Sequence, residues 1–141
     1  MICLLVEDEP LTAVVLQWTL QDAGHLVRGP AASATAALRL AEITPAPAVA
    51  IVDINLRDGR GAGIELARGL LRRNVIPLFV SAQAIEATHH RHLALGFVGK
   101  PYDPLSVVRS VEFAGAFLAG GSLPAPPRGM TFYGDPRGAT A

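Results

Sequence analysis

The stretch Ile2-Cys3-Leu4-Leu5-Val6-Glu7-Asp8-Glu9-Pro10 contains a continuous apolar run directly before a cluster of three acidic residues. A run of five apolar residues without alternation is typical of a strand that is buried on both faces of a sheet. Pro10 suits the first turn of a helix, because the N–H that proline lacks has no partner there. The stretch therefore predicts a buried strand, an acidic loop and then a helix.

The same unit of strand and helix recurs along the first 119 residues. Strict alternation of short apolar runs with helical segments is typical of a parallel sheet covered by helices on both faces. Right-handed crossovers then favour a doubly wound α/β fold with five strands and five helices. The predicted strands are 2–6, 25–29, 48–54, 75–80 and 95–98, and the predicted helices are 10–22, a helix capped by Ser33 or Thr35, 63–73, 83–93 and 103–119.

Two packing details follow from the same pattern. In the first helix we expect Leu11, Val14, Val15 and Trp18 to face the core, since they recur at helical spacing. The second strand is expected near an edge of the sheet, because Pro30 follows it and proline cannot donate to a neighbouring strand.

Composition excludes several classes of protein. The 141 residues carry 12 basic and 12 acidic side chains, so no net charge would draw the chain onto nucleic acid or an anionic membrane. No apolar stretch is long enough to span a bilayer. The single cysteine, Cys3, lies in a predicted buried strand and indicates a small core residue in a reducing compartment. We therefore expect a soluble, cytoplasmic protein without nucleic-acid or membrane partners.

Polar residues stand where four of the predicted strands end. Glu7 and Asp8 follow the first strand, Asp53 closes the third, Ser81 closes the fourth, and Lys100, the only lysine of the chain, follows the fifth. Because the carboxyl ends of parallel strands meet at one edge of the sheet, where such folds bind ligands, we expect these side chains to share a cleft.

The chemistry of this cleft points to phosphoryl transfer. Carboxylates brought close together repel one another unless a cation joins them, and Mg²⁺ suits a site with few protein ligands, all of them oxygens. Asp53, at the end of a rigid strand, can act as a nucleophile toward phosphorus. Mg²⁺, Lys100 and the Ser81 hydroxyl would then stabilise the charge on the transferring oxygens.

Four short motifs carry a resemblance to a known family. They are Leu4-Leu5-Val6-Glu7-Asp8-Glu9-Pro10, Val52-Asp53-Ile54-Asn55-Leu56 with Gly59 beyond it, Phe79-Val80-Ser81-Ala82, and Lys100-Pro101-Tyr102. In this order and spacing they resemble the receiver domain of two-component response regulators. The resemblance covers residues 1–119 and implies a flavodoxin-like strand order of 2-1-3-4-5, followed by a Pro/Gly-rich tail at 120–141.

The resemblance also implies roles for the residues of the cleft. Asp53 would be the phosphoacceptor, and Lys100 would contact the phosphoryl group. Glu7, Asp8 and Asp53 would bind Mg²⁺ together with the backbone carbonyl of Asn55. By the same resemblance, the donor of the phosphoryl group would be a histidine kinase or a histidine phosphotransfer protein.

The resemblance to receiver domains also implies signalling roles for two residues. Ser81 stands where the family has a switching hydroxyl, and Phe97 stands at its aromatic switch position. Phosphorylation would bias both and repack the face made by the fourth helix, the fifth strand and the last helix, for a downstream partner protein to recognise. The Lys100–Pro101 peptide bond is expected to be cis.

The chain also departs from the family pattern. The interval from Ser81 to Lys100 is about three residues shorter than in chemotaxis-type members, which predicts a shortened or distorted fourth helix. Phe97 lacks the hydroxyl of a tyrosine, so its switch would rest on ring burial. About twenty residues follow residue 119, too few for an output domain, which predicts a stand-alone receiver.

Other functions remain open. The chain could be a phosphate sink or a relay intermediate, or an unphosphorylated binding module that keeps the fold. A Mg²⁺-dependent phosphohydrolase would use Asp53 as its nucleophile, but haloacid-dehalogenase-type enzymes have a second acid two residues later, where this chain has Asn55.

Three features outside the cleft allow two interpretations each. The composition of 120–141 predicts a flexible tail, whereas Phe132-Tyr133 could instead dock on the domain or on a partner. The apolar surface of the last helix is wider than one face needs, which would suit a homodimer. His89-His90-Arg91-His92 is typical of a surface helix but could also bind a metal.

Overall fold

Residues 1–138, the part of the chain described by this computed structural model, contain six strands and five α-helices. In chain order these are β1 (Ile2–Val6), α1 (Pro10–Asp22), β2 (Leu26–Ala31), α2 (Ala34–Ala41), β3 (Val49–Val52), α3 (Ala62–Arg72), β4 (Ile76–Ser81), α4 (Ala84–His89), β5 (Gly96–Gly99), α5 (Pro104–Ala119) and β6 (Met130–Phe132). The predicted alternation is confirmed from β1 to α5.

Side-chain caps determine where three of the helices begin. The carboxylate of Glu9 accepts the N–H of Thr12 at 2.6 Å at the start of α1, and the hydroxyl of Ser33 accepts the N–H of Ala36 at 3.1 Å at the start of α2. Asp103 caps α5 in the same way. Such bonds satisfy N–H groups that have no partner within the helix, so Ser33, and not Thr35, is the cap of α2.

The sheet has the strand order β2-β1-β3-β4-β5-β6. Strands β1 to β5 are parallel, as predicted, and their order is the expected 2-1-3-4-5. The prediction of a five-stranded sheet is wrong, because β6 adds a sixth strand antiparallel to β5. Strand β2 lies at one edge, as Pro30 predicted, and β6 covers the edge of β5 at the other side.

Helices cover both faces of the sheet and enclose two layers of core. Leu16 and Leu20 of α1 pack with Val111 of α5 on one face, whereas α2 and α3 pack on the other. Cys3 is fully buried in the first of these layers, and burial raises the pKa of its thiol to about 11. The interpretation of Cys3 as a core residue is confirmed.

The orientation predicted for α1 is wrong. Ala13, Leu16 and Leu20 are its buried residues, whereas the side chain of Trp18 is 64% exposed and that of Leu11 is 73% exposed. Val15 is exposed as well, and Val14 is half-buried. The helix is apolar on nearly all sides, so periodicity alone could not decide which side faces the sheet.

The segment between β4 and β5 is compressed. Helix α4 has six residues where eleven were expected, and a short 3₁₀ turn at Arg91–Leu93 completes the connection. The prediction of a shortened or distorted fourth helix is confirmed. His89 and His92 of this segment are exposed and His90 is half-buried, so these side chains lie at the surface.

The segment after α5 folds back on the domain. Residues 130–132 form β6, and the ring of Phe132 packs edge-on against that of Phe113 with 5.2 Å between centroids. The prediction of a flexible tail is wrong for this segment, and the alternative of docking on the domain is confirmed; residues 139–141 lie outside the described residues. Because β6 covers part of α5, the apolar width that motivated a homodimer has a partner within the chain.

The helices of residues 1–138 are all too short or too polar to cross a membrane.

Candidate functional site

Four strands bring polar side chains to the same edge of the sheet. Glu7 directly follows β1, Asp53 directly follows β3, Ser81 ends β4, and Lys100 directly follows β5. Backbone hydrogen bonds hold these strand ends in register, from the N–H of Asp53 to the carbonyl of Val6 at 3.1 Å and from the N–H of Lys100 to the carbonyl of Ser81 at 3.0 Å. The cleft predicted from the strand ends is therefore present.

The ammonium group of Lys100 joins two buried carboxylates in this cleft. Its Nζ donates to Oε1 of Glu7 at 2.7 Å and to Oδ2 of Asp53 at 2.8 Å. Glu7 is 4% exposed and Asp53 is 8% exposed, and carboxylates removed from water to this extent need a paired cation. One side chain thus links the ends of β1, β3 and β5.

Burial and neighbouring charges determine the protonation of this cluster. Burial raises the pKa of the Glu7 carboxyl, and the hydrogen bond from Lys100 offsets that effect only in part. Burial lowers the pKa of Lys100, but its hydrogen bonds to Asp53 and Glu7 outweigh burial and leave the pKa above its ordinary value. Lys100 therefore keeps its positive charge at neutral pH.

The same acidic residues form a donor set for a hard divalent cation. Glu7, Asp8 and Asp53 each offer a carboxylate oxygen, and these oxygens lie within 4.8 Å of one another, the one such group of three among residues 1–138. Oε2 of Glu7 also accepts the N–H of Glu9 at 3.1 Å, which orients the carboxylate. A set made only of carboxylate oxygens suits Mg²⁺ and does not suit softer metals such as Zn²⁺.

Ser81 and Asn55 border the cleft with different hydrogen bonds. The hydroxyl oxygen of Ser81 accepts the N–H of Gln83 at 3.1 Å, a bond that does not use the hydroxyl proton. The side-chain oxygen of Asn55 accepts the N–H of Gly61 at 2.9 Å and so fixes the loop after β3. The role expected of the Asn55 backbone carbonyl as a metal ligand stays a prediction.

Strand β5 carries two further features that the sequence pointed to. Phe97 is buried in the core on the face of the sheet that α2 and α3 cover, and it pairs with Thr131 of β6. The Lys100–Pro101 peptide bond is cis, as expected. Tyr102 follows it, and burial raises the pKa of its phenol to about 12.

Sequence reasoning missed one residue that shapes the site. The N–H of Gly63, at the start of α3, donates to the carbonyl of Ile54 at 2.7 Å. A Cβ at Gly63 would overlap the backbone carbonyl oxygen of Asp53 and lie 2.7 Å from Cα of Ile54. The helix can approach the chain after β3 only because this residue is glycine. The loop contains Gly59, Gly61 and Gly63, and the sequence alone does not indicate which of the three is required.

Comparison with known proteins gives one curated relative. The chain is 32% identical over 106 residues to the phyllosphere-induced regulator PhyR of Methylorubrum extorquens. The match covers 74% of this chain and 39% of PhyR, so the chain spans less than half the length of that relative. No protein-family model matches the chain.

The chain is also similar in fold to solved structures of response regulators. The receiver domain of NtrX from Brucella abortus is 25% identical, with a TM-score of 0.71, and the match covers 79% of this chain and 96% of that one. The response regulator TrrA from Thermotoga maritima, in complex with Mg²⁺ and BeF, is 20% identical with a TM-score of 0.70, and the match covers 80% of this chain and 97% of that one.

Proposed function

Since this chain contains a receiver domain of the response-regulator family, we propose that it accepts a phosphoryl group on Asp53 in a Mg²⁺-dependent reaction and signals through a change of conformation. One observation carries the proposal: the Lys100 ammonium lies 2.7 Å and 2.8 Å from two buried carboxylates at the carboxyl edge of the sheet. An acidic nucleophile beside a fixed cation suits attack on a phosphoryl group, whose developing charge the cation stabilises.

In the proposed step, a carboxylate oxygen of Asp53 attacks the phosphorus of a phosphohistidine on a histidine kinase or a histidine phosphotransfer protein. An O–P bond forms as the P–N bond breaks, and the imidazole leaves with the electron pair of that bond and takes up a proton. The product is an acyl phosphate on Asp53, and no further reactant is needed. The chain would therefore modify itself and not turn over an external substrate.

The residues around Asp53 have separate roles in the proposed reaction. Lys100 neutralises the carboxylates before transfer and contacts the phosphoryl oxygens afterwards, while Ser81 offers its hydroxyl proton to the same oxygens. Glu7, Asp8, Asp53 and the backbone carbonyl of Asn55 would hold Mg²⁺, which supplies positive charge to the phosphoryl oxygens when it is bound. The Mg²⁺ and BeF in the complex of the Thermotoga maritima relative support this choice of metal.

The signal would pass through Ser81 and Phe97. A hydrogen bond from Ser81 to the phosphoryl group would change the contact of its hydroxyl with the N–H of Gln83, the residue before α4. Phe97, which packs in the core beside that helix, would repack with it. Residues 1–119 are proposed as the receiver domain, acting in the cytoplasm, and a partner protein would recognise its change of conformation.

Intact mass spectrometry tests the proposal directly. We expect the chain to gain one phosphoryl group when it is incubated with a small phosphodonor and Mg²⁺, and peptide mapping to locate that group on Asp53. Chelation of the metal before the donor is added should prevent the gain, because the carboxylate cluster then lacks the charge that offsets the incoming phosphoryl oxygens. A chain that binds Mg²⁺ but gains no phosphoryl group from small donors or from kinases would instead be a binding module.

The Lys100→Met variant should form the same adduct about 100-fold more slowly, since removal of one charge-stabilising donor from a reaction centre costs about this much. Without the ammonium, the carboxylates of Glu7 and Asp53 lose the cation that contacts both of them, and the transferring oxygens lose a positively charged partner. The rate of mass gain measures the effect, and circular dichroism checks the fold. Arg57→Met, which removes an exposed cation of the neighbouring loop, should keep the wild-type rate. Equal rates for Lys100→Met and wild type would contradict the role given to Lys100.

A further inference from the structure

The segment after α5 closes the open edge of the sheet with its own strand. Residues 130–132 pair antiparallel with residues 96–98 of β5, and the N–H of Tyr133 donates to the carbonyl of Leu95 at 2.8 Å. Met130 is buried, although the residues that lead to it, 120–129, are almost all exposed. The segment is therefore attached to the domain through residues 130–132, and residues 120–129 contribute little to this attachment.

The side chains of this strand reach both sides of the sheet edge. The ring of Phe132 lies over α5, with its centroid 5.2 Å from that of Phe113 and 6.2 Å from that of Phe117. Tyr133 faces the other side, where the guanidinium of Arg91 lies 6.0 Å from its ring centroid. Burial raises the pKa of Tyr133, and its interaction with Thr88 of α4 offsets that rise only in part. Residues 130–133, called the C-terminal cover below, thus contact α4, β5 and α5 together.

Strand β5 has a backbone that fits this cover closely. A Cβ at Gly96 would lie 2.5 Å from the carbonyl oxygen of Thr131 and 2.6 Å from Cε of Met130. Any side chain at this position would push the cover away from the edge. An unpaired edge strand presents free N–H and C=O groups that pair readily with another chain, so covering it also controls access to that surface.

The elements that hold the cover are directly connected to the acidic cleft. Strand β5, to which the cover pairs, runs into Lys100, whose ammonium contacts Asp53. The cover also contacts the end of α4, and that helix begins after Gln83, whose N–H is bound by the hydroxyl of Ser81. A change at Asp53 that moves Lys100 or Ser81 therefore acts on two of the three elements beneath the cover.

We propose that the C-terminal cover is a phosphorylation-sensitive lid on the β5 edge, docked while Asp53 is unmodified and released when Asp53 carries a phosphoryl group. The inference rests on the proposed function and names the surface through which that function is read. A phosphoryl group on Asp53 would give Lys100 and Ser81 a new anionic partner and so favour a different arrangement of β5 and α4. If the phosphoryl group favours a second arrangement of β5 and α4, it must weaken the contacts that the C-terminal cover makes with these elements in their first arrangement.

Amide hydrogen exchange of the full chain measures the release. With Mg²⁺ and beryllium fluoride, a stand-in for the phosphoryl group, amides of residues 130–133 should exchange about tenfold faster than in the untreated protein, a coupling of ordinary size. Native mass spectrometry of the same sample reports whether beryllium fluoride is bound. Asp53→Asn should show no such acceleration.

Two variants separate the cover from the cleft. Gly96→Ala should expose residues 130–133 to fast exchange without any additive, and by linkage it should take up beryllium fluoride at about tenfold lower concentration. Phe132→Ala, which alters only a partly exposed ring, should show the same trend if Gly96→Ala does not fold. Bound beryllium fluoride with unchanged exchange at 130–133 would overturn the lid and leave the proposed function standing. Absence of both binding and a phosphoryl adduct would overturn the two together.

Discussion

We expect the Asp53→Asn variant to take up no phosphoryl group under conditions in which the wild-type chain takes up one. The asparagine amide has nearly the same shape as the carboxylate but lacks the charge and the nucleophilic oxygen that an acyl phosphate requires. The amide side chain would still lie beneath Lys100, whose second partner, Glu7, is unchanged. The loss of the adduct is therefore expected without loss of the fold.

Intact mass after incubation with a small phosphodonor and Mg²⁺ measures this effect, and thermal unfolding followed by circular dichroism checks stability. Asp22→Asn is the matched control, because Asp22 is an exposed acid at the end of α1 and should leave the adduct unchanged. A full phosphoryl adduct on Asp53→Asn, mapped to Glu7 or Asp8, would show that the nucleophile is wrongly assigned.

The cleft could be predicted because its position follows from topology alone. Once the chain is recognised as a parallel sheet, the residues after each strand must lie at one edge, whatever the details of packing. Glu7, Asp53, Ser81 and Lys100 each stand within a residue of a strand end, so small errors in the predicted strand bounds did not displace them. The ion pairs of Lys100 with the two buried carboxylates could not be predicted from the sequence, because the positions of strand ends do not give the distances between side chains.

The orientation of α1 could not be predicted for a physical reason. Burying Leu16 and Leu20 leaves Leu11 and Trp18 exposed, and the opposite rotation would bury residues of equal apolarity. Only the shape of the neighbouring sheet and of α5 decides between them, and that shape is a property of the whole fold. In a helix with one polar and one apolar face, the sequence alone would have predicted which side is buried.

The sixth strand was missed because its stability comes from its neighbours. Residues 130–132 are too few to read as a strand and are surrounded by glycine and proline. They become a strand because β5 offers an open edge, Gly96 leaves room, and Phe113 offers a ring to pack against. Short segments that depend on tertiary contacts in this way are not visible in local pattern.

Gly63→Ala should lower the free energy of unfolding by about 3 kcal/mol, the upper part of the range for forcing an extra methyl group into a packed site. The new Cβ would overlap the carbonyl oxygen of Asp53, which is backbone and cannot turn aside as a side chain would. Either α3 moves away, which breaks the bond from the Gly63 N–H to the carbonyl of Ile54, or the chain after β3 moves with Asp53.

Urea unfolding followed by circular dichroism measures the loss, and Gly115→Ala provides the control. Gly115 lies within α5, and a Cβ there would meet only the flexible end of Met1, at 3.0 Å. That substitution should be neutral or stabilising by up to about 1 kcal/mol, because alanine is the better helix former. If the chain after β3 moves, Asp53 moves with it, and the surviving folded Gly63→Ala protein should then also form the phosphoryl adduct more slowly. A stable Gly63→Ala chain with a wild-type adduct rate would show that α3 does not determine where Asp53 lies.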